Sequence, residues 1–150
     1  MADNKSAIQR SQNMSAIRAK DTVPETYIRK LLFADGFRYR KNCGDIVGTP
    51  DLWLPKYGTV VFIHGCYWHR HQSCKYAYTP KSNTEFWNRK FQSNIQRDKN
   101  VQQKLSENGI RILIIWECTV KRMRHSPELA QSTLNQIEEF IRSNSPFMEI

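Results

Sequence analysis

The stretch Val60-Val61-Phe62-Ile63-His64-Gly65-Cys66-Tyr67-Trp68-His69-Arg70-His71-Gln72-Ser73-Cys74 decides how this chain is read. With Thr59 before it, its first half is a continuous β-branched and aromatic run, the composition of a strand at the centre of a sheet. Its second half concentrates ligands. Three of the four histidines (His64, His69, His71) and two of the four cysteines fall within 11 positions. Imidazoles gathered at the end of a buried strand point to chemistry rather than packing.

On the N-terminal side, Asp51-Leu52-Trp53-Leu54 reads as a second strand and Pro55–Gly58 as the turn between the two. Asp51 is therefore expected beside Phe62–His64. Phe37–Lys41 reads as a further strand, followed by turns at Cys43-Gly44-Asp45 and Gly48-Thr49-Pro50, with Cys43 a partly buried free thiol. Before it, Tyr27, Ile28, Leu31 and Leu32 recur at helical spacing, with Pro24 in the first turn and Gly36 as the stop. Glu25 reads by default as a favourable charge at the positive helix end.

On the C-terminal side, Ser82 and Glu85 have capping-box spacing and open a long helix that runs to Gly109. Ile110–Trp116 is a third buried strand with Glu117 and Cys118 at its end. Ser126-Pro127-Glu128 starts a last helix, whose buried stripe is Leu134, Ile137, Phe140 and Ile141. The order α–β–β–β–α–β–α predicts one α/β domain over residues 21–150, a mixed central sheet flanked by helices. Residues 1–20 carry Lys5, Arg10, Arg18 and Lys20 with few apolar anchors. They read as a DNA-binding arm with a short helix around Asn13–Arg18, ordered on a partner. Met14 is its one bulky apolar side chain without a core role.

The formal charge of +9 and sequence pI of about 9.6 call for a polyanionic partner, by default nucleic acid. A mean hydropathy of −0.66, without a transmembrane run or a signal-peptide core, excludes a membrane protein and predicts a cytoplasmic one. There disulfides are disfavoured, and clustered cysteines bind metal. Cys66, His71 and Cys74 lie close together, and Cys118 follows a separate strand. That pattern suits a closed tetrahedral zinc site tying the irregular segment 65–82 to the sheet edge. His69 could replace His71 by spacing alone. Three thiolates and one imidazole leave no open position for a catalytic zinc.

Pro50-Asp51 before a strand is half of the common metal-dependent nuclease pattern. The other half, an acid and a lysine, is replaced by Phe62-Ile63-His64. A Mg²⁺ ion would then lean on Asp51, backbone carbonyl and phosphate oxygens, with His64 or His69 handling protons. On the long helix, Asp98 falls within the stripe of Phe91, Ile95, Gln102 and Leu105 and needs a partner. An imidazole from 64–71 and a nearby arginine are equally good choices. Tyr67 and Trp68 sit in a loop too irregular to bury them fully. Trp87 begins the helix, with Lys90 and Asn94 one and two turns on. Aromatics beside Lys and Asn suit wedging between base pairs, although Trp87 also borders the core stripe.

Taken together, SQNMSAI at Ser11–Ile17, Pro50-Asp51, FIHGCYWH at Phe62–His69, TEFW at Thr84–Trp87, Arg97-Asp98 and LIIWEC at Leu113–Cys118 resemble the very short patch repair (Vsr) endonucleases. These are bacterial enzymes that nick beside thymine in T:G mismatches left by 5-methylcytosine deamination. The resemblance runs in order over roughly residues 10–120. It implies a restriction-endonuclease-like fold, Mg²⁺ held by Asp51 and the main-chain carbonyl of Ile63, and His69 as the residue activating water. His64, Glu25 and Asp98 would surround the same centre. The resemblance also selects Cys66, His71, Cys74 and Cys118 as zinc ligands.

It further makes Tyr67, Trp68 and Trp87 a wedge entering from the major groove, with Met14 entering from the minor groove. Lys90 and Asn94 match the positions that read the mismatch. The implied substrate is double-stranded DNA with a T:G pair, the implied state a monomer, and mismatch-repair proteins of the MutL type are candidate partners. The chain departs from the family pattern in a His71–Cys74 loop one residue longer, in Tyr67 for Phe and in Ile63 for Thr. The rival readings are a restriction endonuclease cutting both strands and a non-catalytic, zinc-stabilised DNA-binding module.

Overall fold

A computed structural model describes residues 21–150; the expected arm, including Met14, lies outside the described residues. Helix α1 spans Val23–Ala34. Thr22 caps it by accepting the Glu25 amide, Pro24 sits in its first turn, and Gly36 leaves it at φ 94°. Strand β1 is Arg40–Lys41 only, shorter than the expected Phe37–Lys41. Phe37 is drawn into the core instead, against Tyr57 at 5.6 Å between ring centres. β2 (Leu52–Leu54), a 3-10 turn at Pro55–Tyr57 and β3 (Thr59–His64) form the expected hairpin.

The long helix α2 is Thr84–Glu107, and β4 is Arg111–Trp116. The capping box does not form. Asn83, at φ 53°, is the N-cap and makes no side-chain capping bond, so helix α2 starts after Ser82 could serve. Two elements were not foreseen. Glu117 and Cys118 open a helix, α3 (Glu117–His125), rather than ending a strand. After α4 (Pro127–Arg142) a short strand, β5 (Phe147–Glu149), joins the sheet edge.

The sheet order is β1-β2-β3-β4-β5, antiparallel from β1 to β3 and parallel from β3 to β5. β3 and β4 are buried on both faces, which is why they read as unbroken apolar runs. Alternation then sorts their side chains. Val61, Leu113 and Ile115 face α1, α3 and α4 through Ile28, Leu32, Val120, Met123, Ile137 and Ile141. Val60, Phe62, Ile112, Ile114 and Trp116 face the other way, toward Leu105 of α2 and the Cys66 and Cys118 thiols. The metal-ligand candidates thus belong to the second core. Cys43 is a free thiol, more fully buried than expected. Arg111 ties the end of α4 to the sheet, donating to the Phe140, Ile141 and Ser145 carbonyls and to Thr59 Oγ1.

Where α1 meets α4, Glu138 lies beside Asp35. Burial, then the Asp35 carboxyl, pushes the Glu138 acid from 4.5 up to about 7, against the pull of Arg142. A folded-state value above the unfolded one means that the folded protein binds the extra proton. The penalty is absent below about pH 4.5, grows as pH rises, and is complete above about pH 7. Glu138→Gln should therefore melt a few degrees above the parent at pH 8 and level with it near pH 4. Equal melting temperatures at both values would show that no such penalty exists.

Candidate active site and metal centre

The hairpin register pairs Leu52 with Val61, which sets Asp51 beside the end of β3. There the Ile63 amide donates to Asp51 Oδ2 at 2.7 Å. Burial, opposed by that amide and reinforced by Glu25, pushes the Asp51 acid up to about 7. Glu25 is 5% exposed, on the inner face of α1. It is more than a first-turn charge: its Oε2 accepts from the Asp21 amide at 2.8 Å and from Arg29 Nη2 at 3.2 Å. Two adjacent carboxyls, one holding its proton to neutrality, are hard oxygen donors that suit a divalent cation in the proton's place.

Arg29 was missed by sequence reading. It is buried, and its guanidinium also reaches Asp21 at 2.6 Å and Asn42 at 3.5 Å. The available signal was its place four residues after Glu25 and next to Ile28, on the face that enters the core.

At the end of β3, His64 is buried and its ring stacks on His69, with centres 3.8 Å apart and planes 4° from parallel. Burial, then the neighbouring His69, holds His64 down to about 3, so it is neutral at physiological pH. His69 Nδ1 meets Asp98 Oδ2 at 2.7 Å. Of the two partners open to Asp98, the imidazole is the one found. With Nδ1 occupied and carrying the proton, His69 Nε2 is left as the basic nitrogen. His64, His69 and Asp98 bring their ligand atoms within 4.8 Å of one another.

Cys66, His71, Cys74 and Cys118 likewise converge within 4.8 Å. His71 Nδ1 lies 3.6 Å from Cys66 Sγ and 3.4 Å from Cys118 Sγ. A tetrahedron with metal–sulfur bonds of ~2.3 Å and metal–nitrogen bonds of ~2.0 Å has such N···S edges at about 3.5 Å. His71 rather than His69 is the imidazole present. Burial pushes the Cys66 thiol up to about 12, so a cation must displace its proton to bind there. The Cys118 position follows from β4, whose end hands the chain to α3. Trp116 ties the two clusters together. It stacks on His71 at 4.2 Å and presents its edge to His64 at 5.3 Å.

Tyr67, Trp68 and Trp87 are each half-buried and touch one another: Tyr67–Trp68 at 5.1 Å, Tyr67–Trp87 at 5.9 Å and Trp68–Trp87 at 6.1 Å between ring centres. Trp68 and Trp87, with Phe86, form the aromatic part of a cleft of about 340 Å³, to which His69, Lys90, Asn94 and Arg97 also contribute, while Tyr67 packs behind them. Asn94 Nδ2 donates to the Trp68 carbonyl at 3.1 Å, which fixes the loop to α2. Arg70, also missed, staples this loop. It donates to the Tyr67, Ala77 and Tyr78 carbonyls and to Thr79 Oγ1, and its guanidinium lies 3.8 Å from the Phe91 ring centre. Arg70 stands between His69 and His71 in the sequence. Nothing in the local pattern marks it as internal.

With this geometry in hand, comparison with known proteins gives consistent results. A family model described as DNA mismatch endonuclease Vsr matches residues 2–75. The chain is 42% identical over 141 residues to the type II nicking enzyme V.NmeAIP of Neisseria meningitidis, covering 94% of this chain and 100% of that protein. It is 37% identical over 142 residues to the DNA mismatch endonuclease Vsr of Escherichia coli, covering 94% and 88%. A third relative, the type II nicking enzyme V.XorIIP of Xanthomonas oryzae, is 37% identical over 118 residues, covering 79% and 86%.

The Cys–His cluster makes a direct prediction. The parent should purify with a bound metal by elemental analysis, and Cys118→Ser and Cys74→Ser should each purify without it and melt ~10 °C or more lower. Cys43→Ser, at a buried thiol remote from the cluster, should keep its metal. Metal retained by Cys118→Ser would exclude that side chain as a ligand.

Proposed function

The chain belongs to the DNA mismatch endonuclease Vsr family, and we propose that it is a Mg²⁺-dependent, strand-specific endonuclease with a restriction-endonuclease-like fold. It nicks 5′ to the thymine of T:G mismatches arising from 5-methylcytosine deamination, and so starts very short patch repair. The observation that carries this reading is the Asp98–His69–His64 assembly opening onto the aromatic cleft, beside the Asp51–Glu25 acid pair. A base, a hard-cation site and an apolar wedge meet in one place on a protein of charge +9.

In this reading Asp51, held by the Ile63 amide, and the Ile63 carbonyl hold Mg²⁺, with Glu25 as the neighbouring carboxylate. When bound, Mg²⁺ supplies Lewis-acid neutralisation of charge developing on the scissile phosphate. His69 takes the proton from the attacking water at Nε2, while Asp98 fixes the tautomer through Nδ1 and stabilises the imidazolium that forms. His64, neutral and stacked on that ring, keeps it in plane. Cys66, His71, Cys74 and Cys118 hold Zn²⁺ with no open position, a structural role.

Tyr67, Trp68 and Trp87 enter the stack at the mismatch, where a wobble pair costs less to unstack than a Watson–Crick step. Lys90 and Asn94 read its edges. Met14, on the N-terminal arm, enters from the minor groove. The protein acts as a cytoplasmic monomer, with mismatch-repair proteins of the MutL type as candidate partners.

End-labelled duplexes differing only by T:G against T:A test this. A nick confined to the T strand of the mismatch, present with Mg²⁺ and absent with EDTA, is the expected result. Cuts on both strands of the matched duplex would make the protein a restriction enzyme instead. Asp51→Ala should abolish nicking and keep mismatch binding. His69→Ala should slow single-turnover nicking by ~10²–10⁴ and Asp98→Asn by less. Full activity in His69→Ala would remove that imidazole from the chemistry.

A further inference from the structure

Helix α2 lines a groove that the reactive centre does not use. Ser93, Gln96, Arg97, Asn100 and Lys104 give it polar groups, and Val101 and Val47 its apolar surface, around a volume of about 430 Å³. At about 100° per residue these five α2 positions fall within an arc of about 100°, so they form one face. The opposite wall is the turn at Cys43–Pro50, seated on the helix through Gly48. That residue has φ 83°, and a Cβ there would lie 2.4 Å from Val101 Cγ1. The groove therefore owes its width to a glycine contact.

Its lining includes two cations and no acid. Nearby carboxylates are engaged elsewhere, Asp98 with His69 and Asp45 with Arg40. Arg97 also lines the aromatic cleft, so groove and cleft are neighbours on either side of that side chain. From Ser93 to Lys104 the helix rises about 16 Å, a length over which one DNA strand carries about five phosphates. Asn100 between the two cations, with Ser93 and Gln96 before them, offers donors that suit phosphate oxygens, which need no base edge.

We propose that this groove is a phosphate track, carrying the backbone of one DNA strand away from the reactive centre between α2 and the Cys43–Pro50 turn. It presupposes the mismatch-endonuclease reading and extends the footprint along the flanking duplex.

The test measures binding of the full-length protein to labelled T:G duplexes by anisotropy, without added Mg²⁺ and without chelator, between about 50 and 200 mM KCl. One duplex ends about four base pairs from the mismatch on either side, before most of the track, and one extends about twelve. On the long duplex Lys104→Ala should make the slope of log K against log[KCl] shallower by about 0.9, and Lys104→Glu by more. Lys99→Ala, an exposed lysine about 140° round the helix from Lys104, should match the parent. On the short duplex all four proteins should share one slope. The preference for T:G over T:A should be unchanged throughout.

Equal slopes for Lys104→Ala and the parent on the long duplex would overturn the track. So would an equal loss in Lys99→Ala, which would reduce the effect to general charge. A parent that shows no T:G preference would count against the functional reading alone, because the comparison of slopes still decides whether the groove holds DNA.

Discussion

The segment from Gly65 to Asn83 contains no helix or strand, yet it carries Tyr67, Trp68 and His69. Its backbone has no ladder to satisfy it, and its own side chains build no core. Two point attachments replace them. One is the convergence of Cys66, His71 and Cys74 on Cys118, which pins the loop to the junction of β4 and α3. The other is Arg70, whose donors take up three loop carbonyls and a threonine hydroxyl. The first constrains one side of the loop, the second gathers the other. Tyr67, Trp68 and His69 lie between them, so their geometry depends on both.

The same region shows how a single strand end serves two kinds of chemistry. β3 delivers His64 into a buried, neutral state and then turns toward the soft ligands. The antiparallel hairpin brings hard oxygen donors to its other flank. Trp116 stands between the clusters, flat against His71 and edge-on to His64. Soft cysteine–histidine donors and hard carboxylate donors can sit this close because, if both took cations, softness would sort the ions between them.

Much of this was legible in the sequence, for identifiable reasons. β3 and β4 are buried on both faces, so their apolar runs were unambiguous. The Cys-His-Cys spacing with a distant Cys118 foretold the cluster, and the buried-face position of Asp98 demanded a partner, though pattern could not choose His69 over an arginine. What escaped was set by tertiary contact. β5 is short and largely exposed, and exists because β4 offers it an edge. α3 begins inside what looked like a strand terminus, since Cys118 must leave the sheet to reach His71. Arg29 and Arg70 look like ordinary surface cations locally. Arg29 is buried and Arg70 half-buried because carboxylates and carbonyls of neighbouring turns fold around them.

Helix α2 is the clearest case of a sequence whose meaning lies outside its own packing. Of its 24 residues only Phe91 and Leu105 are buried. A helix polar almost all round is not held by an apolar stripe; tertiary partners must account for its place. Asp98 on His69 and Asn94 on the Trp68 carbonyl supply two of them, so the loop holds the helix as much as the helix holds the loop. The remaining polar face, from Ser93 to Lys104, is bounded by a turn that a glycine allows to approach. Arg97 and Lys104, both exposed, meet no carboxylate in that groove. A polyanion laid along it would supply the charge they lack, which is what a DNA duplex brings.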